Sequence, residues 1–249
     1  HPAELESETT YERLANLVEE HIDLDALLGR AGPVDVSAST RRAPDSVSKH
    51  VRIGVARDDA FCFYYRDNLR LLERAGAELV EFSPIRDSLP ADLDALYLGG
   101  GYPELVAGKL AENRQLIEEM RTFEGPIYAE CGGLMYLAET LHTDDGLHEL
   151  VGRLPLEIDM SGELDIGYVT VDIGENAPFG AGLTARGQLY HRSRMRSHGE
   201  LTSAYRITRQ SGESSDEGWT AGNILASYVH LHFGSCPELA ASLVRAAHR

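Results

Sequence analysis

Residues 129–133, AECGG, place a cysteine between a strand-like run and two glycines. Residues 126–130 read as a strand, and an apolar helical pattern follows from Leu134. A sharp strand-to-helix turn of this kind presents a nucleophile, and it needs small neighbours because backbones approach closely there. The helix dipole predicts a lowered pKa for the Cys131 thiol, and the Gly132 N–H is placed to donate to an oxyanion. The alternative is a buried structural cysteine, the commoner role of a lone cysteine.

A cysteine nucleophile needs a general acid and base, and the best-placed candidates are His230 and His232 in ASYVHLHFGS. Their two-residue spacing puts both side chains on one face of an extended segment. A metal-binding pair and hydrogen-bonded core histidines are the alternatives, but no third ligand stands at a suitable spacing, so we predict no metal site. We expect His191 and His198 to be surface histidines, and Cys62, which lies among aromatic residues, to be structural.

A second glycine cluster occurs in LGGGYPEL, residues 98–105, at the end of another predicted strand. The N–H groups of Gly100 and Gly101 are unshielded by side chains, which suits anion or oxyanion binding. A plain tight turn is the simpler interpretation of this segment taken alone. It is not a phosphate-binding P-loop, because G-x-x-x-x-G-K-[ST] occurs nowhere in the chain.

The elements that position these residues alternate between strand and helix from residue 51 onward. The pattern predicts strands at 51–57, 77–84, 95–98 and 126–130, and helices at 63–76, 105–125 and 134–142. This alternation indicates an α/β fold with a mostly parallel sheet. Active sites of such sheets gather at the carboxyl ends of the strands, where both Cys131 and the glycine cluster stand.

The two ends of the chain have a different character. After residue 145 the pattern is of short strands separated by glycine and acidic turns, and a closing helix begins near Pro237. Residues 10–29 predict two short helices interrupted near Ile22 and Asp23. Residues 31–50 are rich in Pro, Ser and Ala without periodicity, which is typical of a linker.

Composition excludes several classes of function. The 249 residues contain 23 Lys and Arg against 40 Asp and Glu, a formal charge of −17, which argues against nucleic acid or an anionic membrane as partner. No apolar run approaches the roughly 20 residues of a membrane helix. Three cysteines, an odd and sparse number, favour a reducing cytoplasm. Because the chain lacks an initiating Met, we expect it to be a piece of a longer protein.

Four segments taken together resemble the cobyrinate a,c-diamide synthase family, the glutamine-dependent amidoligases of corrin-ring biosynthesis. They are VRIGVARDDAFCFYYRDNLRLLERAGAELVEFSPIRD, LYLGGGYPEL, IYAECGGLMYL and NILASYVHLHFGS, in this order along the chain. The resemblance identifies residues 51–249 as a class I glutamine amidotransferase-like glutaminase domain. It implies a flavodoxin-like α/β fold with helices on both faces of the sheet and a strand-rich C-terminal part. Residues 1–30 resemble the helical tail of the family's N-terminal ATP-dependent synthetase domain.

The resemblance also implies roles for individual residues. Cys131 corresponds to the nucleophile and His230 to its histidine partner. Gly132 and the Gly100–Gly101 turn correspond to the oxyanion hole, and His232 is a candidate for orienting His230.

Two departures from the wider class I superfamily stand out. The elbow usually reads G-x-C-x-G, but Ala129 replaces the first glycine, and His232 stands where a glutamate usually follows the histidine. These departures imply a Cys–His dyad rather than a full triad.

The implied substrates are glutamine and, outside this fragment, cobyrinate, whose a and c acetate side chains receive the ammonia. The fragment itself is expected to carry no cofactor, and ATP and Mg²⁺ would belong to the synthetase domain.

Hydrogenobyrinate and nickel-sirohydrochlorin a,c-diamide synthases share this architecture, and a non-catalytic glutaminase-like module is the remaining alternative. We expect low activity for the isolated fragment until the synthetase domain binds its ligands. A homodimer is compatible with the sequence.

Overall fold

The computed structural model describes residues 8–32, 51–197, 199 and 201–248, which group into one unit within residues 1–45 and one within 46–249. The predicted linker falls almost entirely outside the described residues, as does His198.

The N-terminal unit consists of two short helices, α1 (Glu8–His21) and α2 (Leu24–Arg30). The break between them falls at Ile22 and Asp23, as the sequence predicts. The Asp23 side chain caps α2 by accepting a hydrogen bond from the Ala26 N–H at 2.9 Å. No residue of α2 is buried.

The larger unit alternates strands and helices in its first half and consists mainly of strands in its second half. Its strands are β1 (Val51–Ala56), β2 (Ala77–Phe82), β3 (Ala95–Leu98), β4 (Ile127–Glu130), β5 (Ala138–Thr143), β6 (Gly146–Glu149), β7 (Leu154–Asp159), β8 (Asp165–Ile173), β9 (Thr184–His191), β10 (Arg194–Ser197), β11 (Thr202–Arg209), β12 (Ser214–Ala221), β13 (Ile224–Ser227) and β14 (Val229–His232). Its α-helices are α3 (Arg66–Arg74), α4 (Ala107–Glu112), α5 (Arg114–Thr122), α6 (Gly132–Leu137) and α7 (Glu238–Ala247), and 3₁₀ helices cover Pro103–Val106 and Phe233–Ser235. No helix in the described part of the chain is long and apolar enough to cross a membrane.

Ten strands form one sheet, in the order β14-β9-β8-β11-β12-β13-β4-β3-β1-β2. The strands from β13 to β2 are parallel, and the strands from β12 to β14 extend the sheet in antiparallel pairs. A second sheet has the order β10-β7-β5-β6. The predicted α/β class, with a mostly parallel core and a strand-rich C-terminal part, is confirmed.

The centre of the parallel core is buried along its whole length. Every residue of β3 and β4 is buried, as expected for parallel strands that are covered on both faces. These strands are neighbours, and Leu98 pairs with Ala129 at their carboxyl ends. The glycine turn after Leu98 and the cysteine after Glu130 therefore lie side by side at one edge of the sheet.

Two predicted helices differ from the observed elements. The helix predicted at 134–142 ends at Leu137, because the following residues form β5 and pair with both β6 and β7. Strand pairing outweighs local helix propensity here. The helix predicted at 105–125 is divided at Asn113, whose side chain caps α5 by accepting a hydrogen bond from the Leu116 N–H.

Candidate active site

The turn predicted at AECGG is present, and Cys131 occupies its strained position. Cys131 has φ 47° and ψ −98°, a conformation that L-residues rarely adopt. Such a conformation costs about 1–3 kcal/mol and persists only where the surroundings enforce it. Two backbone hydrogen bonds do so: the Cys131 N–H donates to the Ser227 carbonyl at 2.7 Å, and the Gly133 N–H donates to the Gly99 carbonyl at 3.0 Å. The elbow is thereby fixed to the neighbouring strand ends.

Small residues at this elbow follow from the close approach of the backbones. A Cβ on Gly133 would overlap with the Leu98 carbonyl, so only glycine fits there. A Cβ on Gly132 would lie 3.2 Å from the Gly101 nitrogen, which shows how near the two glycine segments come. The N–H groups of Gly132 and Gly101 therefore belong to one small region beside the thiol.

The two candidate oxyanion donors in the glycine turn differ in availability. The Gly100 N–H already donates to the Phe63 carbonyl at 3.2 Å, and the Gly100 carbonyl accepts from the Phe63 N–H at 3.0 Å. The Gly101 N–H has no partner among the described residues. Of the two, Gly101 is therefore the one free to bind a ligand.

Cys131 and His230 line the same cavity, which has a volume of about 550 Å³. Gly101, Glu104 and His191 are also part of its wall. Three elements meet here: the elbow after β4, the glycine turn after β3, and β14 with its histidine. The structure thus brings together the cysteine, the histidine and the glycine turn that the sequence singles out.

His230 is buried, with 5% of its surface exposed, and packs edge-on against Phe63 at a ring-centroid distance of 4.8 Å. Its Nδ1 has no hydrogen-bond partner among the described residues. Burial, assisted by the nearby His191, lowers the pKa of His230 to about 4. The imidazole is therefore neutral at neutral pH and able to accept a proton. A Cβ on Gly100 would overlap with this ring, so the glycine leaves the space that His230 occupies.

His232 does not line the cavity. Its ring packs edge-on against Tyr65 at 4.9 Å, and Tyr65 in turn contacts Phe63. The two histidines and two aromatic residues thus form one row, which agrees with the predicted placement of both histidines on one face of the strand. The His232 ring also lies beside Gly234, where an added Cβ would overlap with it.

The Cys131 thiol differs from its predicted electrostatic state. Burial raises its pKa to about 12, and the Glu104 carboxylate adds to the increase. A hydrogen bond from the Gly132 N–H acts in the opposite direction but is outweighed. The prediction of a lowered pKa is therefore wrong, because desolvation of a buried thiolate exceeds the effect of a six-residue helix. The protonated thiol lies 3.7 Å from the Tyr190 carbonyl oxygen.

Sequence reasoning missed Glu130, the buried carboxyl group that precedes the elbow. It accepts hydrogen bonds from the Tyr97 hydroxyl at 2.9 Å, the Tyr128 hydroxyl at 2.5 Å and the Leu231 N–H at 2.9 Å. Leu231 lies between the two histidines, so Glu130 ties the cysteine strand to the histidine strand. An acidic residue at the end of an otherwise apolar strand was the available signal.

His191 also differs from expectation, since the sequence predicts a surface residue. Its side chain is only 14% exposed, lines the cavity and stacks on the Tyr228 ring at 3.8 Å. Its Nε2 lies 3.9 Å from an Asp165 carboxylate oxygen, and burial lowers its pKa. Cys62, predicted to be structural, is exposed and lies at the cavity wall. No local sequence pattern predicts the positions of His191 and Cys62, because these positions depend on segments that are distant in sequence.

Neither a cluster of metal-ligating side chains nor a P-loop occurs in the described part of the chain. The described residues contain no group of three or more His, Cys, Asp or Glu side chains arranged to hold a metal ion. The chain also lacks the P-loop pattern.

Comparison with known proteins gives a consistent family. The CobB/CobQ-like glutamine amidotransferase domain matches residues 52–237. The cobyrinate a,c-diamide synthase of Syntrophotalea carbinolica is 43% identical over 93% of this chain and 53% of its own length. That of Methanothermobacter thermautotrophicus is 39% identical over 92% and 52%, respectively. The chain spans about half the length of the curated relatives it matches.

Solved structures share the fold at lower identity. A crystal structure of a glutamine amidotransferase aligns with a TM-score of 0.57 and 20% identity over 79% of this chain and 99% of that one. A glutamine amidotransferase from Thermotoga maritima aligns with a TM-score of 0.50 and 19% identity over 73% and 76%. The family match extends over the elbow, the glycine turn and His230, and by it the chain belongs to the CobB/CobQ-like glutamine amidotransferase domain family.

Proposed function

We propose that this chain hydrolyses glutamine with Cys131 as nucleophile and His230 as general acid and base. The observation that carries the proposal is that a strained cysteine elbow, a neutral buried histidine and the glycine turn at Gly101 line one cavity. Family membership supports the same chemistry.

The first half of the reaction forms a thioester. Because the free thiol is protonated, His230 accepts its proton as sulfur attacks the side-chain amide carbon of glutamine. The N–H groups of Gly132 and Gly101 hold the oxyanion. His230 then gives the proton to the departing nitrogen, the C–N bond breaks, and ammonia leaves.

The second half releases glutamate. Water attacks the glutamyl thioester carbon while His230 accepts one of its protons. The C–S bond breaks, and the proton returns to the Cys131 sulfur. His232 packs against the aromatic row and lies outside the cavity, so its proposed role is to hold β14 and the His230 ring in place.

We further propose that the ammonia serves an amidoligase, with the a and c acetate side chains of cobyrinate as acceptors in the intact protein. The names of the relatives favour cobyrinate over hydrogenobyrinate or nickel-sirohydrochlorin. ATP and Mg²⁺ would be bound by a separate synthetase domain of the intact protein. The protonated resting thiol supports slow hydrolysis by the isolated chain. Its free cysteines suit the reducing cytoplasm, where we place the activity.

Labelling by a glutamine-analogue electrophile, 6-diazo-5-oxo-L-norleucine, tests the glutaminase directly. We expect one adduct per chain, mapped by mass spectrometry to Cys131, and protection by excess glutamine. The exposed Cys62 serves as the internal control, because it reacts with a general alkylating agent without needing a glutamine site. An unmodified Cys131 beside an alkylated Cys62 would instead identify a non-catalytic module.

Substitution of Gly100 by alanine tests the placement of His230. The added methyl group overlaps with the imidazole, and misplacing a catalytic group by about 1 Å costs on the order of 100-fold in rate. We expect the glutaminase kcat/KM to fall by about this factor while the chain stays folded. Gly108→Ala is the matched control, since its Cβ meets only a histidine carbon at 3.8 Å. Equal activities of the two variants would argue against His230 as the proton carrier.

A further inference from the structure

Two opposite charges on the cavity wall are left without ion-pair partners. Glu104 lies on the 3₁₀ helix that follows the glycine turn, and Arg192 follows β9 directly after His191. Both line the cavity that holds Cys131. No ion pair involves either side chain among the described residues. Burial raises the pKa of the Glu104 carboxyl, and a cation bound beside it would offset this cost.

The other carboxyl groups near the thiol are already satisfied, which sets Glu104 apart. Glu130 accepts three hydrogen bonds, as described above. Glu217 accepts from the Ser227 hydroxyl and from the Tyr228 N–H, the latter at 2.8 Å. These two groups hold strands together, whereas among the described residues the Glu104 carboxylate accepts a hydrogen bond only from its own backbone N–H.

We propose that Glu104 binds the α-ammonium and Arg192 the α-carboxylate of free glutamine, and that the ammonium at Glu104 makes ionisation of the adjacent Cys131 easier. The inference rests on the glutaminase proposed above and assigns its amino-acid subsite. One anion and one cation on the wall of a single cavity match the zwitterionic head group of an α-amino acid. A glutamine residue inside a peptide lacks both charges and is excluded.

The position of Glu104 links substrate binding to the ionisation of Cys131. Its carboxylate contributes the largest charge effect that raises the pKa of the Cys131 thiol in the free protein. Glu130, Glu217, Tyr102 and Tyr228 also face the sulfur, but Glu130 and Glu217 are held by hydrogen bonds within the fold. Among the described residues, Glu104 is the carboxylate that lies on the cavity wall. An ammonium group seated on Glu104 cancels the repulsion at the moment when the thiol must lose its proton. The nucleophile is thus suppressed until the correct substrate arrives.

Two truncated substrates separate the roles of the two charges. The first, 4-carbamoylbutanoate, is glutamine without the α-amino group, and the second, 4-aminobutanamide, is glutamine without the α-carboxylate. Wild-type protein should prefer glutamine over either by about 10- to 100-fold in kcat/KM, the range of one charged hydrogen bond. Glu104→Gln should abolish the preference over 4-carbamoylbutanoate only. Arg192→Gln should abolish the preference over 4-aminobutanamide only.

A readout independent of turnover is the rate of Cys131 alkylation by iodoacetamide against pH. Because only the thiolate reacts, removing the Glu104 charge should move the rate profile of Glu104→Gln toward lower pH. At a fixed pH below the pKa of the thiol, we therefore expect Glu104→Gln to be alkylated up to about tenfold faster than wild type. Glu112→Gln, an exposed glutamate on α4 outside the cavity, is the matched control and should leave the profile unchanged.

The outcomes are distinct. If both variants keep the wild-type substrate preferences and the alkylation profile is unchanged, the assignment of Glu104 and Arg192 is wrong. The glutaminase proposal still holds in that case, provided that glutamine is hydrolysed. If glutamine is not hydrolysed and 6-diazo-5-oxo-L-norleucine does not label Cys131, the proposed glutaminase activity itself is wrong. Because Arg192 is exposed, Arg192→Gln is expected to fold even if Glu104→Gln does not, and its substrate preference alone then decides.

Discussion

Replacing Cys131 by alanine is expected to lower glutamine hydrolysis by a factor of about 10⁴–10⁶, the loss typical when a catalytic nucleophile is removed. No other thiol can take its place. Cys62 is exposed on the cavity wall without the strained turn, and Cys236 is buried with its Sγ 3.5 Å from a Glu238 carboxylate oxygen. The measurement is glutamate release from glutamine, with Cys131→Ser as a second variant expected to be equally inactive.

The matched control is Cys62→Ala, which removes a thiol from the same cavity and should keep wild-type activity. In the intact protein, free ammonia should still support amidation by Cys131→Ala, because ammonia bypasses the thioester. The fold should persist, since alanine retains the same backbone conformation at this position. Glutamine hydrolysis by Cys131→Ala at more than a trace level would remove Cys131 from the mechanism.

The elbow was predictable because its signal is local. A strand followed by Cys-Gly-Gly and an apolar run dictates a tight turn, and the glycines at 99–101 mark the neighbouring strand end in the same way. The electrostatic state of Cys131 was not predictable, because it depends on how deeply the packed chain buries the sulfur. Burial comes from segments distant in sequence, such as the carbonyl group of Tyr190 that lies beside the thiol.

The same difference between local and distant signals explains why the position of His230 was predictable and that of His191 was not. His230 follows a run of strand-forming residues, so its place at a strand end could be inferred. His191 lies at the end of β9, and only the stacking of the distant Tyr228 ring shows that it turns into the cavity. The helix expected at 134–142 failed for a related reason, since nothing local reveals that residues from Ala138 onward pair with two other strands.

Glu130→Gln is expected to change the pH dependence of stability. Burial raises the pKa of Glu130 from 4.5 to about 7 in the folded chain. Between these values the folded state binds more protons than the unfolded state, so stability falls as pH rises from about 4.5 to 7 and then levels off. A difference of this size is worth about 3 kcal/mol. Glutamine carries no such charge, so the variant lacks this loss.

The free energy of unfolding of Glu130→Gln relative to wild type should therefore become more favourable by about 2.5 kcal/mol between pH 5 and pH 8. Measuring the difference between the two proteins isolates Glu130 from His230, whose lowered pKa of about 4 changes stability in the opposite direction. The amide oxygen can still accept from the Tyr128 hydroxyl and the Leu231 N–H, so β14 stays attached.

Glu217→Gln should behave alike, because burial also raises the pKa of Glu217 to about 7. The control is Glu112→Gln at an exposed position, whose stability relative to wild type should not change with pH. A stability difference that does not change with pH would mean that Glu130 ionises equally in the folded and unfolded chain, and that its three donors fully offset its burial.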